Sequence, residues 1–358
     1  MAGGKSRALY RELAREIADG RFAPLGAFPS EHMLAKRYEV SRETVRCAKK
    51  MLEDSGLVYT RRGCGTFVSG DDRDRRSIGV LVSGCRYAEI FSRIGRTIEE
   101  LAKGSGLGVV MGDASCLDTE KTPARALDVA RRFVDAGVAG VIVQPVEFVP
   151  NADAVNTRIA SLFDNARVPV VLFDCDVVSP PARSAYDRVG VDNFDAGRRV
   201  GWHLAEMGAR AVLCCASPNS PESVRSRFAG VRAAFGGAQL LESAPTDVAR
   251  FRRVLREHPE VDAFVCQNDV YAVSAMACLR RLGRRIPEDV MVAGFDDLAL
   301  AKACGQGLTS VAQPCEDIAA VAFERLRRRM AGDPLPPMDV NLPTRLVVRG
   351  STARRAQG

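Results

Sequence analysis

The chain of 358 residues has one tryptophan and three histidines, and aromatic residues make up only 6% of it. No histidine stands beside a serine or cysteine as the base of a nucleophile pair: His32 lies in a basic N-terminal segment, His203 on a helical stretch and His258 before a proline. Hydrolases built on such a pair are therefore not indicated. Long apolar runs are also missing. A membrane helix needs ~20 such residues, whereas the best run here, around Val138–Val143, is strand-sized. The opening MAGGKSRALYREL has early charges but no apolar core before a small-residue cleavage site, so a cytoplasmic protein with no membrane partner is expected. Cysteine is present, with 11 residues, but the number is odd, the positions are scattered and no CxxC pair occurs. They read as reduced thiols rather than a disulfide framework.

What the sequence does have is unevenly placed. The net charge is +7. Residues 1–76 carry 16 Lys/Arg against 11 Asp/Glu, and residues 77–358 carry 35 against 33. An excess of positive charge in one short segment points to a nucleic-acid partner for that segment. The polar run Ser69-Gly-Asp-Asp-Arg-Asp-Arg-Arg-Ser77 reads as a linker. The expected division is a head at 1–68, a linker at 69–77, a body at 78–351 and a tail at 352–358.

In the head, Leu9, Tyr10, Leu13 and Ile17 recur at helical spacing, which predicts a first helix over Ser6–Asp19. Ser30 and Ser41 are predicted N-caps of two further helices, through Tyr38 and over Arg42–Ser55. The last turns Val45, Ala48 and Leu52 inward and Arg42, Glu43, Arg46, Lys49 and Lys50 outward. Two helices joined by a tight turn, the second opening with arginines, suit entry into the major groove. Arg42 and Arg46 can fork onto guanine or phosphate, and Ser41 and Thr44 can donate hydroxyls to phosphate. Gly56–Val68 then reads as a hairpin with Arg61, Arg62 and Gly63 at its tip, where glycine permits close approach and arginine can line the minor groove.

These residues resemble a known family. PSEHMLAKRYEVSRETVRCAKKMLEDSGLVYTRRGCGTFV is similar to the winged-helix domain of the GntR family of bacterial transcription regulators, over about residues 5–68. The resemblance implies operator contacts by Arg42, Thr44 and Arg46 and, in the wing, by Arg62 and Gly63. His32 stands where that family often carries arginine.

After Ser77, apolar strands alternate with amphipathic helices. Strands are predicted at Ile78–Val82, Gly108–Met111, Gly140–Val143, Val168–Phe173, Arg188–Val191, Ala211–Cys215, Ala263–Cys266, Val290–Gly294 and Leu342–Val348. This rhythm predicts an α/β body of two doubly wound parallel sheets, with ligands bound beyond the carboxyl ends of the strands. Asn268 and Asp296 each follow a strand, and such groups exchange hydrogen bonds with hydroxyls. Arg227, near the start of a helix, offers a planar fork for a polyol or an anion. Asp269 and Asp297 read as turn or capping residues. Trp202, mid-helix beside Leu204, reads as packing.

VGVDNFDAG, RFAG, QND, IPEDV, AGFDD and LTSVAQP resemble the sensor domain of the LacI family, which shares its two-lobed fold with periplasmic sugar-binding proteins. The resemblance runs from about Ile78 to Ser351. It implies effector contacts by Arg227, Asn268 and Asp296, and by Asp174 and Gln144 in the first lobe. Arg86 and Tyr87, in the loop Ser83–Glu89, are candidates for the rest of that wall. Cys315 falls where the family can carry an aromatic ring.

The expected function is a DNA-binding transcriptional regulator rather than an enzyme, a homodimeric repressor of two-fold operator DNA controlled by a sugar-like effector. A nucleoside or sugar acid is the alternative effector, activation or co-repression the alternative sign, and a non-regulatory binding protein the remaining reading. Neither cofactor nor metal is expected, although Cys85, Cys116 and Cys175 each follow a first-lobe strand and could meet as a thiol or metal cluster. Gly104-Ser-Gly-Leu-Gly108 ends a helix before a strand, the reverse of a dinucleotide loop, and reads as a helix C-cap.

Overall fold

A computed structural model of the chain describes residues 2–19, 21–22, 28–61, 65–68, 77–83, 88–116, 118–242 and 248–353. Two compact units divide between Arg76 and Ser77.

The first unit holds three helices, α1 (Ala2–Ala18), α2 (Glu31–Arg37) and α3 (Arg42–Asp54), and a hairpin of β1 (Val58–Arg61) with β2 (Gly65–Val68). The two serine caps form as the sequence predicts. Ser30 accepts from the Met33 amide at 3.3 Å and Ser41 from the Thr44 amide at 3.2 Å, each satisfying a donor that the first helical turn leaves open. Val45, Ala48 and Leu52 are fully buried against Leu9, Leu13, Leu34, Val58 and Val68. One buried charge ties the helices together. The Glu16 carboxylate accepts from Arg37 Nη2 (2.8 Å) and from the Tyr38 hydroxyl (2.7 Å). Burial and this carboxylate push the Tyr38 phenol up to about 12.

The second unit begins with β3 (Ser77–Val82), α4 (Ala88–Gly104), β4 (Gly108–Asp113), α5 (Thr122–Asp135), β5 (Val141–Val143), α6 (Ala152–Asn165), β6 (Val170–Phe173) and β7 (Asp187–Val191). It continues with α7 (Asn193–Glu206), β8 (Val212–Ala216), α8 (Glu222–Phe235), β9 (Gln239–Glu242), α9 (Val248–Glu257), β10 (Ala263–Cys266), α10 (Asp269–Arg281), β11 (Met291–Asp296), α11 (Ala299–Ala303) and β12 (Thr309–Ala312). It closes with α12 (Cys315–Met330), β13 (Asp339–Leu342) and β14 (Arg345–Val347).

The strands form two six-stranded sheets, ordered β13-β7-β6-β5-β3-β4 and β14-β12-β11-β10-β8-β9. The first is wholly parallel, and the second is parallel except for β14, which runs antiparallel to β12. Because side chains alternate along a strand, each sheet buries both faces. Ile78, Val80 and Val82 point toward α4 and α12, while Leu81 meets α5 and α6. In the second sheet Phe264 and Cys266 face α9 and α10, and Ala263 and Val265 face α7 and α8.

The chain passes between these lobes three times: after β7, between β12 and α12, and between β13 and β14. Here the structure corrects the sequence reading. Leu342–Val348 is not one strand. Pro343, which has no N–H to give a ladder, separates β13 in the first sheet from β14 in the second. The body also runs past Ser351, because Thr352 is buried and its hydroxyl lies 2.7 Å from both Thr309 Oγ1 and His203 Nε2. Trp202 is not core packing. It is 47% exposed, with the Arg198 guanidinium 4.2 Å from its ring centre, because Gly197, Val200, Gly201 and Leu204 take the inward face of α7. The glycine-rich stretch before β4 is a helix end as predicted, with Gly106 in a left-handed conformation (φ +73°).

Candidate functional site

Two surfaces gather the residues picked out above, one in each unit. In the head, α3 presents Arg42 and Arg46 to solvent. Arg42 Nη2 lies 2.9 Å from His32 Nδ1, and Arg46 donates to Glu43 at 3.0 Å with Glu31 at 3.9 Å. Both guanidiniums thus stand exposed on one helix, held by neighbours that a phosphate or a base edge could replace. Ser41 and Thr44 are partly committed to each other, their hydroxyls 2.9 Å apart at the cap. Arg62 and Gly63 lie outside the described residues.

In the body, a cleft of about 700 Å3 has walls from both lobes, including Asp174, Cys175, Asn193, Ser223 and Asn341. It continues into an inner chamber lined by Ile90, Phe91, Gln144, Glu147, Asp174, Arg227 and Gln313. Arg227 reaches this place because α7 and α8 touch backbone to backbone. A Cβ on Gly197 would lie 1.7 Å from the Arg227 carbonyl oxygen, and one on Gly230 would lie 2.0 Å from that of Phe194. The buried guanidinium donates to Asn193 Oδ1 (2.8 Å) and to the Gln267 carbonyl (2.9 Å), and rests on the Phe295 ring with 4.9 Å to its centre.

Asp296 ends β11 in a buried position, with Arg227 Nη1 3.9 Å away and Gln313 donating to its Oδ1 at 2.7 Å. Its Oδ2 has no partner among the described residues. Burial pushes this carboxyl up to about 6 despite the nearby guanidinium. Asn268 fills the capping role weighed for it and leaves one polar atom over. Its Oδ1 caps α10 by accepting from the Tyr271 amide at 3.1 Å, while its buried Nδ2 finds no partner among the described residues. Asp269 and Asp297 are structural, as their sequence context suggested. Asp269 accepts from Ser310 Oγ (2.6 Å) and the Leu298 amide (2.8 Å), and Asp297 pairs with Arg349 at 2.5 Å.

The first lobe contributes Gln144 and Asp174. Gln144 Oε1 accepts from the Ser83 amide at 3.0 Å, and its Nε2 donates to Glu147 at 3.3 Å. Asp174 holds a left-handed backbone (φ +59°) and accepts from Asn193 Nδ2 at 3.3 Å. Arg86 and Tyr87 lie outside the described residues, as does Cys85, so the proposed three-cysteine cluster has only two described members. Cys175 has other company. Its thiol donates to Glu147 at 3.0 Å, and the ligating atoms of Glu147, Asp174 and Cys175 lie within 4.8 Å of one another. Cys315 is buried in the first-lobe core, and Phe91 from α4 and Phe173 from β6 are aromatics that line the chamber.

Sequence reasoning missed Glu147, Phe91, Asn193 and Gln313. Asn193 opens α7 inside the segment VGVDNFDAG already singled out, and Gln313 falls in LTSVAQP. Only Glu147 and Phe91 lacked a local signal. Burial, and then repulsion from Asp174, push the Glu147 carboxyl up to about 8. Burial also raises the Cys175 thiol well above its ordinary value, which keeps it a thiol rather than a nucleophilic thiolate. No helix among the described residues is long and apolar enough to cross a membrane.

Comparison with known proteins places both units among described families. Residues 5–68 match the family of bacterial regulatory proteins, gntR family, and residues 202–352 match the periplasmic binding protein-like domain. An arabinose metabolism transcriptional repressor of Geobacillus stearothermophilus is 26% identical over 96% of both chains. The transcriptional regulator CelR of Thermobifida fusca is 32% identical over 53% of this chain and 58% of its own. Among solved structures, a CelR–cellobiose complex superposes with a TM-score of 0.65 at 23% identity, covering 90% of this chain and all of that one. The chain therefore carries a GntR-family helix-turn-helix domain followed by a periplasmic-binding-protein-like domain, the build of a DNA-binding transcriptional regulator.

Proposed function

We propose that the protein is a homodimeric repressor whose operator affinity is set by a sugar-like effector held between the lobes of its body. The observation that carries this reading is the pair of orphaned buried atoms, Asp296 Oδ2 and Asn268 Nδ2, on residues tied to the chamber-lining Arg227, whose guanidinium lies 3.9 Å from Asp296 and donates to the carbonyl of Gln267, the neighbour of Asn268. An acceptor and a donor left without partners cost stability, and a ligand hydroxyl, which both donates and accepts, satisfies both. Phe91 supplies an apolar wall for a sugar ring. Glu147 and Asp174 line the chamber with Arg227, whose guanidinium already lies near Asp296, so a sugar acid would add a further carboxylate to a site rich in carboxyl groups. That disfavours the sugar-acid alternative.

On this reading, effector binding draws the lobes together about the three crossings. The change in the body alters the separation of two heads on a two-fold operator, and DNA affinity falls. Relatives named as repressors support that sign. The test is a mobility-shift assay of the full chain on DNA upstream of its own gene, with neutral pentoses and hexoses added in turn. A retarded complex that at least one sugar releases is expected. No retarded complex on that DNA would overturn the regulator assignment there, and a complex that every sugar leaves intact would overturn the effector class.

A further inference from the structure

Glu147, Asp174 and Cys175 stand together on the first-lobe wall of the effector chamber. The groups that hydrogen-bond to the two carboxyls are neutral, and Arg227 acts on Glu147 only through space. Glu147 receives the Cys175 thiol at 3.0 Å and the Gln144 amide at 3.3 Å, and Asp174 receives the Asn193 amide at 3.3 Å. Among the described residues neither carboxylate forms an ion pair with a lysine or arginine, and the guanidinium in this chamber lies against Asp296 instead. Across the chamber the buried Asp296 Oδ2 is unpartnered, while Gln313, which holds its other oxygen, lines the same space as Glu147 and Asp174. Asp174, Asp296 and Glu147, the last holding its proton in the empty chamber, therefore share the one guanidinium of the chamber lining in a place where water is scarce. Buried charge is tolerated when it is paired, and an empty chamber with this balance is completed by a ligand that brings positive charge.

We propose that the effector is a polyol bearing a protonated amine, an amino sugar or an amine-bearing sugar mimic, with its ammonium group between Glu147 and Asp174 and its hydroxyls on Arg227, Asn268 and Asp296. The inference rests on the reading of the cleft as a sugar site. An ammonium has three donors and no acceptor, which matches two carboxylates converging from one wall. Burial and Asp174 hold Glu147 up to about 8 in the empty chamber, so an arriving cation would favour its ionised form. The Cys175 thiol keeps its short contact to Glu147, and the ammonium would take the place of the longer ones, from Gln144 and Asn193 at 3.3 Å and from the thiol to Asp174 at 3.8 Å.

The test is calorimetric titration of the full chain, at a pH below the amine's own pKa, with glucose, glucosamine, N-acetylglucosamine and glucuronate, and with the galactose set. The amine is expected to bind at least ~10-fold more tightly than its neutral parent, with the N-acetyl form, which keeps the bulk but loses the charge, falling back. Glu147→Gln should remove that preference, and Glu147→Asp should restore part of it. A neutral sugar binding as tightly as its amine would overturn the proposal and leave the sugar reading intact. Failure of every sugar to bind would overturn the sugar reading itself. Zinc chloride alone binding with one-to-one stoichiometry, and losing affinity in Cys175→Ser, would reassign the three residues to a metal ion and overturn the proposal.

Discussion

Glu147 shows what one side chain can reveal about the empty protein. Its carboxyl is held up to about 8 in the folded chain, chiefly by burial and secondarily by Asp174, against an ordinary value near 4.5. The folded state therefore holds this proton more tightly than the unfolded state. The stability it contributes is complete below the ordinary value and is lost as pH rises through about 8. Glu147→Gln, which cannot ionise, should gain stability relative to the unsubstituted protein between pH 5 and pH 9 by up to about 4 kcal/mol, at about 1.4 kcal/mol per unit between the ordinary and the raised value, as measured by thermal or urea denaturation. Asp296 titrates by the same logic near 6. Asp296→Ala should abolish release of operator DNA by the effector while leaving ligand-free DNA binding unchanged, as read by mobility shift with and without the sugar. In the head, Arg46→Ala should weaken operator binding by about 1–3 kcal/mol at fixed salt. Unaltered affinity would remove α3 from the DNA interface.

At the scale of elements, the site depends on how closely α7 and α8 approach. Gly197 and Gly230 let the two backbones meet, so that Arg227 projects into the chamber from α8. Gly197→Ala would drive a methyl group into the Arg227 carbonyl and should destabilise the body by about 3 kcal/mol or more. A lowered Tm and a lost ligand response are expected together. Ser41→Ala removes the cap of α3 and should cost about 1 kcal/mol of head stability. These elements were legible in different degrees. The caps Ser30 and Ser41 and the inward face of α3 could be read directly, because local hydrogen bonding and helical spacing determine them. Arg227, Asn268 and Asp296 could be placed because each sits just after a strand or near a helix start within a distinctive string. The run Leu342–Val348 misled, because one apolar stretch serves two sheets and only Pro343 marks the division. Trp202 misled because helical phase, set by the glycines of α7, outweighed its size. Glu147 and Phe91 were invisible: a glutamate after a strand and a phenylalanine in an amphipathic helix acquire meaning only when tertiary packing brings them to the same wall.

For the whole molecule, the two units are joined to their sequence in opposite ways. The head is one uninterrupted stretch, closing its own core from α1 to β2. The lobes of the body are interlaced: the first takes α12 and β13 from beyond the second, and the second takes β14 from beyond those. A chain stopped after Pro314 would keep all of the second lobe's parallel strands yet strip Ile318, Ala322, Phe323 and Leu326 from the core of the first. Such a truncation should leave Met1–Arg76 folded while the body melts or aggregates, as judged by limited proteolysis. The three crossings thus carry a genetic consequence. A single recombination event can exchange the DNA reader for another, but no single event can exchange one lobe, so ligand preference in this architecture must change by substitution within an inherited body while operator preference is free to be traded as a cassette.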